Sequence, residues 1–148
     1  MLCQTGIETV EIVNSIVKSI NPDVVIAIDA LAARRLDRLG TTIQITDNGI
    51  KPGTGIGNFR KAIKEENIGC PVISIGVPTV VSSSTLVVDM LEAAGVDAVG
   101  DELMMVLKNN KNFFVTPKDC DAIAVSSAEL IAMALNKLFF GTHKNIPT

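Results

Sequence analysis

A run of five apolar residues at 24–28 ends in a single carboxylate, Asp29, and constrains the fold more than any other segment. Four of the five residues are β-branched, and the run is too short for a helix and apolar on both faces. This pattern is typical of a central strand that is buried on both faces in a parallel sheet. We therefore predict a strand over 24–28 that places Asp29 at its carboxyl end.

The segments around this run predict further helices and strands. A second apolar run at 71–76 predicts another buried strand, and an alternating segment at 41–46 predicts a third. Helical spacing, caps and breakers predict helices over 6–20, 30–39, 84–94, 101–108 and 117–140. This order favours an α/β fold with a mainly parallel sheet. The chain length of 148 residues favours one domain over 1–140, followed by a polar tail over 141–148.

The composition argues against several classes of protein. A net charge of −3 and an aromatic content of 3% do not provide the basic patch or the stacking rings of a nucleic-acid-binding surface. A hydrophobic share of 47% supplies enough core to argue against disorder. The sequence suggests no apolar run close to the roughly 18 residues of a membrane span, and no signal peptide. We therefore expect no nucleic-acid or membrane partner.

Cysteine and histidine usage argues against most metal sites. Cys3, Cys70 and Cys120 are odd in number and far apart, which disfavours a disulfide framework or a thiolate zinc site. The single histidine, His143, lies in the polar tail and cannot by itself form a histidine-based triad or a multi-histidine metal site. We therefore expect neither a metal nor a cofactor.

Asp29 is the first candidate for chemistry. In open α/β sheets, ligands gather beyond the carboxyl ends of the strands, which selects Asp29 and the segment 76–79. A carboxylate that is partly removed from water there suits proton transfer, and Asp47 is one possible partner in an acidic dyad. The alternative is that Asp29 caps the helix predicted over 30–39 or pairs with Arg34 or Arg35. On the residues alone the capping interpretation is favoured, because caps outnumber catalytic aspartates.

A glycine-rich loop is the second candidate site. Its alternating glycines allow backbone amides to approach an anion, but the spacing fits neither a Walker loop nor a dinucleotide loop. A peptide-binding loop, a lid or a wide turn is therefore favoured. The candidate substrate-binding residues are Gly53, Gly55, Gly57 and Asn58. The serines at 82–84 are expected to cap a helix rather than to act as nucleophiles.

Several long blocks of the sequence resemble the bacterial spore germination protease family. They occur in the order of the family and span the chain up to about residue 140. The blocks are QTGIET at 4–9, VIAIDALAAR at 25–34, TIQI at 42–45, PGTGIGN at 52–58, PVISIGVPTVV at 71–81 and VTPK at 115–118.

The resemblance implies an endopeptidase that degrades small acid-soluble spore proteins in the cytoplasm of the germinating spore. Members of the family are made as zymogens, assemble as tetramers and share a three-layer fold with hydrogenase-maturation peptidases. They are regarded as atypical aspartic peptidases that use two aspartates. The aspartate of the I-D-A-L-A motif falls on Asp29, so the resemblance reverses the capping interpretation and implies a catalytic role.

The sequence also departs from the family pattern. The other catalytic aspartate of the family lies upstream of the position of Met1, so we expect a C-terminal half that lacks the first strand and is inactive alone. Lys51 stands where the family usually has a histidine, and the stretch between the helix at 84–94 and Thr116 is shortened.

Three other functions are weighed against this one. The first is a non-catalytic assembly or peptide-binding module, and the second is a phosphate- or nucleotide-binding domain that uses the three loop glycines. The third is a metal-dependent peptidase, which the lack of a histidine near the strand ends disfavours.

Overall fold

The structure is a computed structural model that describes residues 9–51, 61–96, 100–109 and 113–141. Its helices are α1 (Thr9–Ile20), α2 (Glu65–Ile68), α3 (Ser83–Ala93), α4 (Asp101–Asn109) and α5 (Cys120–Phe140), with a 3-10 helix at Leu36–Arg38. Its strands are β1 (Val25–Ala33), β2 (Gln44–Thr46), β3 (Val72–Ser82) and β4 (Phe114–Val115). The chain therefore has an α/β fold, as the sequence predicts.

The four strands form one mixed sheet. β1 runs parallel to β3 over nine residue pairs, and β2 and β4 both run antiparallel to β3. The sheet is therefore mixed: its one long pairing is parallel, as predicted, whereas its two short pairings are antiparallel. The order β1-β3-β2 leaves β1 with a single strand partner among the described residues, so one edge of this nine-residue strand lies open.

Both long strands continue past their predicted ends. β1 extends through Asp29 to Ala33, so the predicted helix over 30–39 is wrong and only the 3-10 helix at Leu36–Arg38 forms in that segment. β3 extends to Ser82 and includes Pro78 beside the irregularity in pairing between Leu31 and Ala32, where the missing N–H of a proline is tolerated. Pairing between the two strands therefore outweighs the helix propensity of the alanine-rich segment.

Helices lie on both sides of the sheet, and side chains alternate between the two sides along each strand. On the first side, called the α1 side, one cluster joins α1 to the sheet. Its buried members are Val10, Val17, Ile50, Ile63, Ile68, Cys70 and Val72, against which Val13, Val25, Ala27 and Leu31 pack. On the α5 side, a smaller cluster consists of Ile75, Val77 and Ile131, with Ile26, Ile43 and Leu135 packed against it.

The other four predicted helices form as α1, α3, α4 and α5 within the described residues. The hydroxyl of Ser82 accepts a hydrogen bond from the amide of Thr85, which confirms the predicted serine cap of α3. α5 begins three residues later than predicted, because Asp119 occupies its N-cap position. The hydroxyl of Thr116 instead donates to the carbonyl of Thr79 and fixes the approach of α5 to β3.

α5 packs through a narrow stripe and leaves most of its surface exposed. Ile131 is its one buried residue, whereas Leu130 and Met133 on neighbouring faces are 57% and 53% exposed. The helix is long and apolar enough to cross a membrane by length and composition alone, and only 6% of its apolar window is buried. The expectation of no such run is therefore wrong, although one such helix is weak evidence for a membrane span.

The substitution Gly76→Ala is expected to destabilise the sheet. A Cβ atom at Gly76 would lie 2.1 Å from Cδ1 and 2.7 Å from Cγ of Leu31, so the leucine or a strand must move. We expect the free energy of unfolding to fall by about 1–3 kcal/mol, measured by urea denaturation. As a control, Leu31→Ala should lower the free energy of unfolding by less in the Gly76→Ala protein than in the wild type. Equal costs of Leu31→Ala in both proteins would contradict the predicted clash.

Candidate active site

Asp29 lies inside β1 rather than at its end. It pairs with Gly76 of β3, whose other neighbour in the sheet is Gln44 of β2. The interpretation of Asp29 as a helix cap is therefore wrong, and so is its placement at a strand terminus. Arg35 forms its ion pair with Asp37. Within the described residues the side chain of Asp29 has a single hydrogen bond, in which Oδ1 accepts from the amide of Ala30 at 2.9 Å.

The second carboxylate oxygen of Asp29 is buried without a partner. Oδ2 of Asp29 and Oγ of Ser74 are the two buried side-chain polar atoms that have no hydrogen bond within the described part of the chain. A buried polar atom without a partner costs about 1–3 kcal/mol, so such atoms are rare unless they have a function. This unsatisfied oxygen makes Asp29 the strongest candidate for chemistry in the structure.

The backbone around Asp29 is closely packed. The side chain of Leu31 fills the space over Gly76 that a Cβ atom would otherwise occupy. Alternation along β1 places Asp29 on the α1 side of the sheet, between Ala27 and Leu31, and both of these residues pack against the apolar cluster there. Asp29 is therefore a carboxylate inserted into an otherwise apolar row.

A cavity of about 280 Å³ adjoins this part of β1, between the strands and α5. Its lining is mostly small and apolar, with the hydroxyl-bearing residues Thr79 and Ser127 as its polar members apart from Asp29. The lining residues are Ile28, Asp29, Ala30, Val77, Thr79, Ala124, Ser127, Ala128 and Ile131. The cavity therefore lies on the α5 side of the sheet and borders β1 at Asp29 from the side opposite to the one on which alternation places the carboxylate.

A second cavity, of about 250 Å³, lies between α3 and α4 and includes Arg34 and Asp89. The carboxylate of Asp89 stabilises the fold, because its Oδ2 atom accepts a hydrogen bond from the amide of Leu36. This contact joins α3 to the 3-10 helix across 53 residues of sequence. Asp89 is thus a satisfied carboxylate, in contrast to Asp29.

Asp47 does not complete a dyad with Asp29. It follows β2, and β3 separates β2 from β1 in the sheet. Two strand spacings amount to roughly 10 Å, which is too far for two carboxylates to share a proton. Within the described ranges, no three His, Cys, Asp or Glu side chains form a group that could hold a metal ion. Cys70 and Cys120 are free thiols.

The predicted loop residues Gly53, Gly55, Gly57 and Asn58 lie outside the described residues, as do Cys3 and His143. The structure describes the two ends of that loop. Ile50 and Ile63 exchange both of their backbone hydrogen bonds, at 3.0 and 2.7 Å, so the segment between them starts and finishes at one place on the α1 side. Lys51 follows directly and is exposed.

Ser74 is the residue that the sequence analysis missed. It is 1% exposed and occupies a position in β3 where its neighbours Val72 and Ile75 belong to the core. A single hydroxyl inside the apolar run at 71–76 is the sequence signal that could have identified it.

The part of the chain that the structure describes is thus an α/β fold whose sheet holds one carboxylate with an unsatisfied oxygen, and such a group suits acid–base chemistry. The sequence profile of the germination protease family matches residues 1–103. The chain belongs to the germination protease family.

Curated relatives agree with this assignment. The chain is 42% identical over 154 residues to a germination protease of Clostridium perfringens, a match that includes 89% of this chain and 47% of the relative. It is 39% identical over 159 residues to that of Clostridium tetani, with 89% and 48% covered. It is 54% identical over 88 residues to that of Priestia megaterium, with 60% and 24% covered. The chain spans about half the length of the first two relatives.

The substitution Asp89→Ala is expected to loosen the contact between α3 and the 3-10 helix. Removing the acceptor leaves the amide of Leu36 without its partner, so the free energy of unfolding should fall by about 1–3 kcal/mol in urea denaturation. Asp37→Ala is the matched control, because its ion pair with Arg35 is exposed and should contribute less than about 0.5 kcal/mol. Equal losses of unfolding free energy for the two variants would show that the hydrogen bond from Leu36 to Asp89 does not stabilise the fold.

Proposed function

We propose that Asp29 is a catalytic carboxylate of an aspartic-type endopeptidase. The observation that carries the proposal is the buried Oδ2 atom of Asp29, which has no partner among the described residues of a chain that belongs to a peptidase family. A carboxylate in this position can accept a proton from an attacking water molecule. The parallel pairing of β1 with β3, with helices on both sides, is also compatible with a fold like that of the hydrogenase-maturation peptidases.

We further propose that the second carboxylate comes from a part of the protease outside this chain. In aspartic peptidases two carboxylates share one proton, so that one acts as base while the other acts as acid. The geometry of the sheet removes Asp47 from this role, and the chain spans about half the length of its first relatives. A single carboxylate cannot perform both tasks, and the isolated chain should therefore be inactive.

The proposed substrates are small acid-soluble spore proteins, degraded in the cytoplasm of a germinating spore by an enzyme made as a zymogen. This proposal rests on the resemblance of the sequence blocks around Asp29 to the germination protease family, and on the similarity of the chain to germination proteases of two Clostridium species. The glycine loop between Ile50 and Ile63 remains the proposed substrate-binding segment, since both of its ends lie on the same side of the sheet as Asp29.

Cleavage assays test the role of Asp29. The isolated chain is incubated with a small acid-soluble spore protein, and the products are followed by gel electrophoresis and mass spectrometry. The same assay uses a fusion of this chain to the part of the Clostridium perfringens protease that it does not match. We expect no cleavage by the chain, cleavage by the fusion, and a loss of at least about a thousandfold in the Asp29→Asn fusion.

The control in this assay is the Asp37→Asn fusion, in which an exposed carboxylate is replaced and full activity is expected. Cleavage by the isolated chain that is lost in its Asp29→Asn variant would overturn the proposed need for a second carboxylate. Full activity of the Asp29→Asn fusion would remove Asp29 from the mechanism.

We also propose that the chain associates with copies of itself through α5. Leu138 and Phe140 near its carboxyl end are both 72% exposed, and the exposed apolar residues extend back along the helix to Val125. Exposed apolar side chains in this number are typical of protein interfaces.

Light scattering tests this association. The wild-type chain should have a mass well above its 15.7 kDa monomer, and Leu130→Lys should shift it towards the monomer by placing a charge on the exposed apolar surface. Asn48→Lys, at an exposed polar position outside α5, is the control and should leave the mass unchanged. A wild-type mass of 15.7 kDa would contradict the proposed association.

A further inference from the structure

The two unsatisfied buried atoms lie on the same side of the sheet. Ser74 pairs with Ala27 and Gly76 pairs with Asp29, so Asp29 and Ser74 are on adjacent strands and one side-chain step apart. Residues that pair in a sheet present their side chains to the same side, and Ala27 belongs to the cluster on the α1 side. Asp29 and Ser74 therefore face a common region beneath α1.

The spacing of these residues suits a bridged contact rather than a direct one. Neighbouring strands lie roughly 4.8 Å apart and two residues along a parallel strand span roughly 6.6 Å, so the Cα atoms of Asp29 and Ser74 are roughly 8 Å apart. A serine hydroxyl and an aspartate carboxylate at such positions can each reach one small group between them. A small polar group that hydrogen-bonds to both atoms would remove the free-energy cost of burying Oδ2 of Asp29 and Oγ of Ser74 without partners. A side chain of the apolar cluster can neither donate nor accept such a hydrogen bond.

We propose that Ser74 is a positioning residue that, together with Asp29, binds one water molecule. Oγ of Ser74 donates to the oxygen of this water, and the water donates one hydrogen to Oδ2 of Asp29. Ser74 itself neither gains nor loses a covalent bond. The inference rests on the proposed function, because a water held against the carboxylate of Asp29 is in place to become the attacking nucleophile.

The environment of Ser74 supports a water rather than a larger ligand. Ser74 is 1% exposed, and its strand neighbour on the same side, Val72, is 3% exposed. A buried water needs at least two polar partners, and the carboxylate and the hydroxyl supply them. Ordinary packing would favour alanine or valine here, as on the neighbouring positions of both strands.

A double-mutant cycle on the isolated chain tests the shared site without any need for activity. The melting temperature is measured for the wild type, Ser74→Ala, Asp29→Ala and the double variant. We expect Ser74→Ala to lower the melting temperature by about 3 °C in the wild type and by less than about 1 °C in the Asp29→Ala protein, because the bridge is already lost there. An increase caused by Ser74→Ala in both backgrounds, or equal losses in both, would overturn the proposal.

The fusion described above supplies the catalytic readout. Ser74→Ala should lower its kcat about tenfold and leave KM unchanged, because the serine holds the water and not the substrate. An unchanged kcat would show that the water bound by Ser74 is not the nucleophile. If the fusion proves insensitive to Asp29→Asn, the proposed function fails, while the melting temperatures still decide whether Asp29 and Ser74 share a site.

Discussion

The parallel pairing of β1 with β3 is the constraint on which the rest of the structure depends. It fixes which side chains face α1 and which face α5, and it holds Asp29 beside Gly76 and one step from Ser74. The side chain of Leu31 occupies the space over Gly76, so the register cannot slip without a clash. A carboxylate that would turn to water in a loop is thus kept inside the sheet, where its second oxygen has no partner among the described residues.

Local sequence patterns predicted the existence of the elements better than their ends. The apolar runs at 24–28 and 71–76 are correctly predicted as strands, and the serine cap of α3 is confirmed. The helix over 30–39 was wrong because pairing with β3 is a long-range effect that no local propensity contains. The direction of β2 was missed for the same reason. Asp29 was found through a family motif, whereas the importance of Ser74 depends on which strand lies beside it.

The chain exposes two surfaces that an independent domain usually covers. β1 has the composition of a central strand, yet within the described residues it pairs on one edge alone. α5 presents apolar residues over most of its length. Open strand edges and large apolar surfaces favour association. Both are consistent with a chain that spans about half the length of the curated relatives it matches.

A high-resolution crystal structure of the chain would test the account most directly, through the electron density around Asp29. We expect Oδ2 of Asp29 and Oγ of Ser74 to face one another across a single ordered water that lies within about 3 Å of both atoms. This expectation would be contradicted by a carboxylate of Asp29 turned out into solvent. A hydrogen bond from Ser74 to a backbone carbonyl, with no water beside Asp29, would contradict it equally.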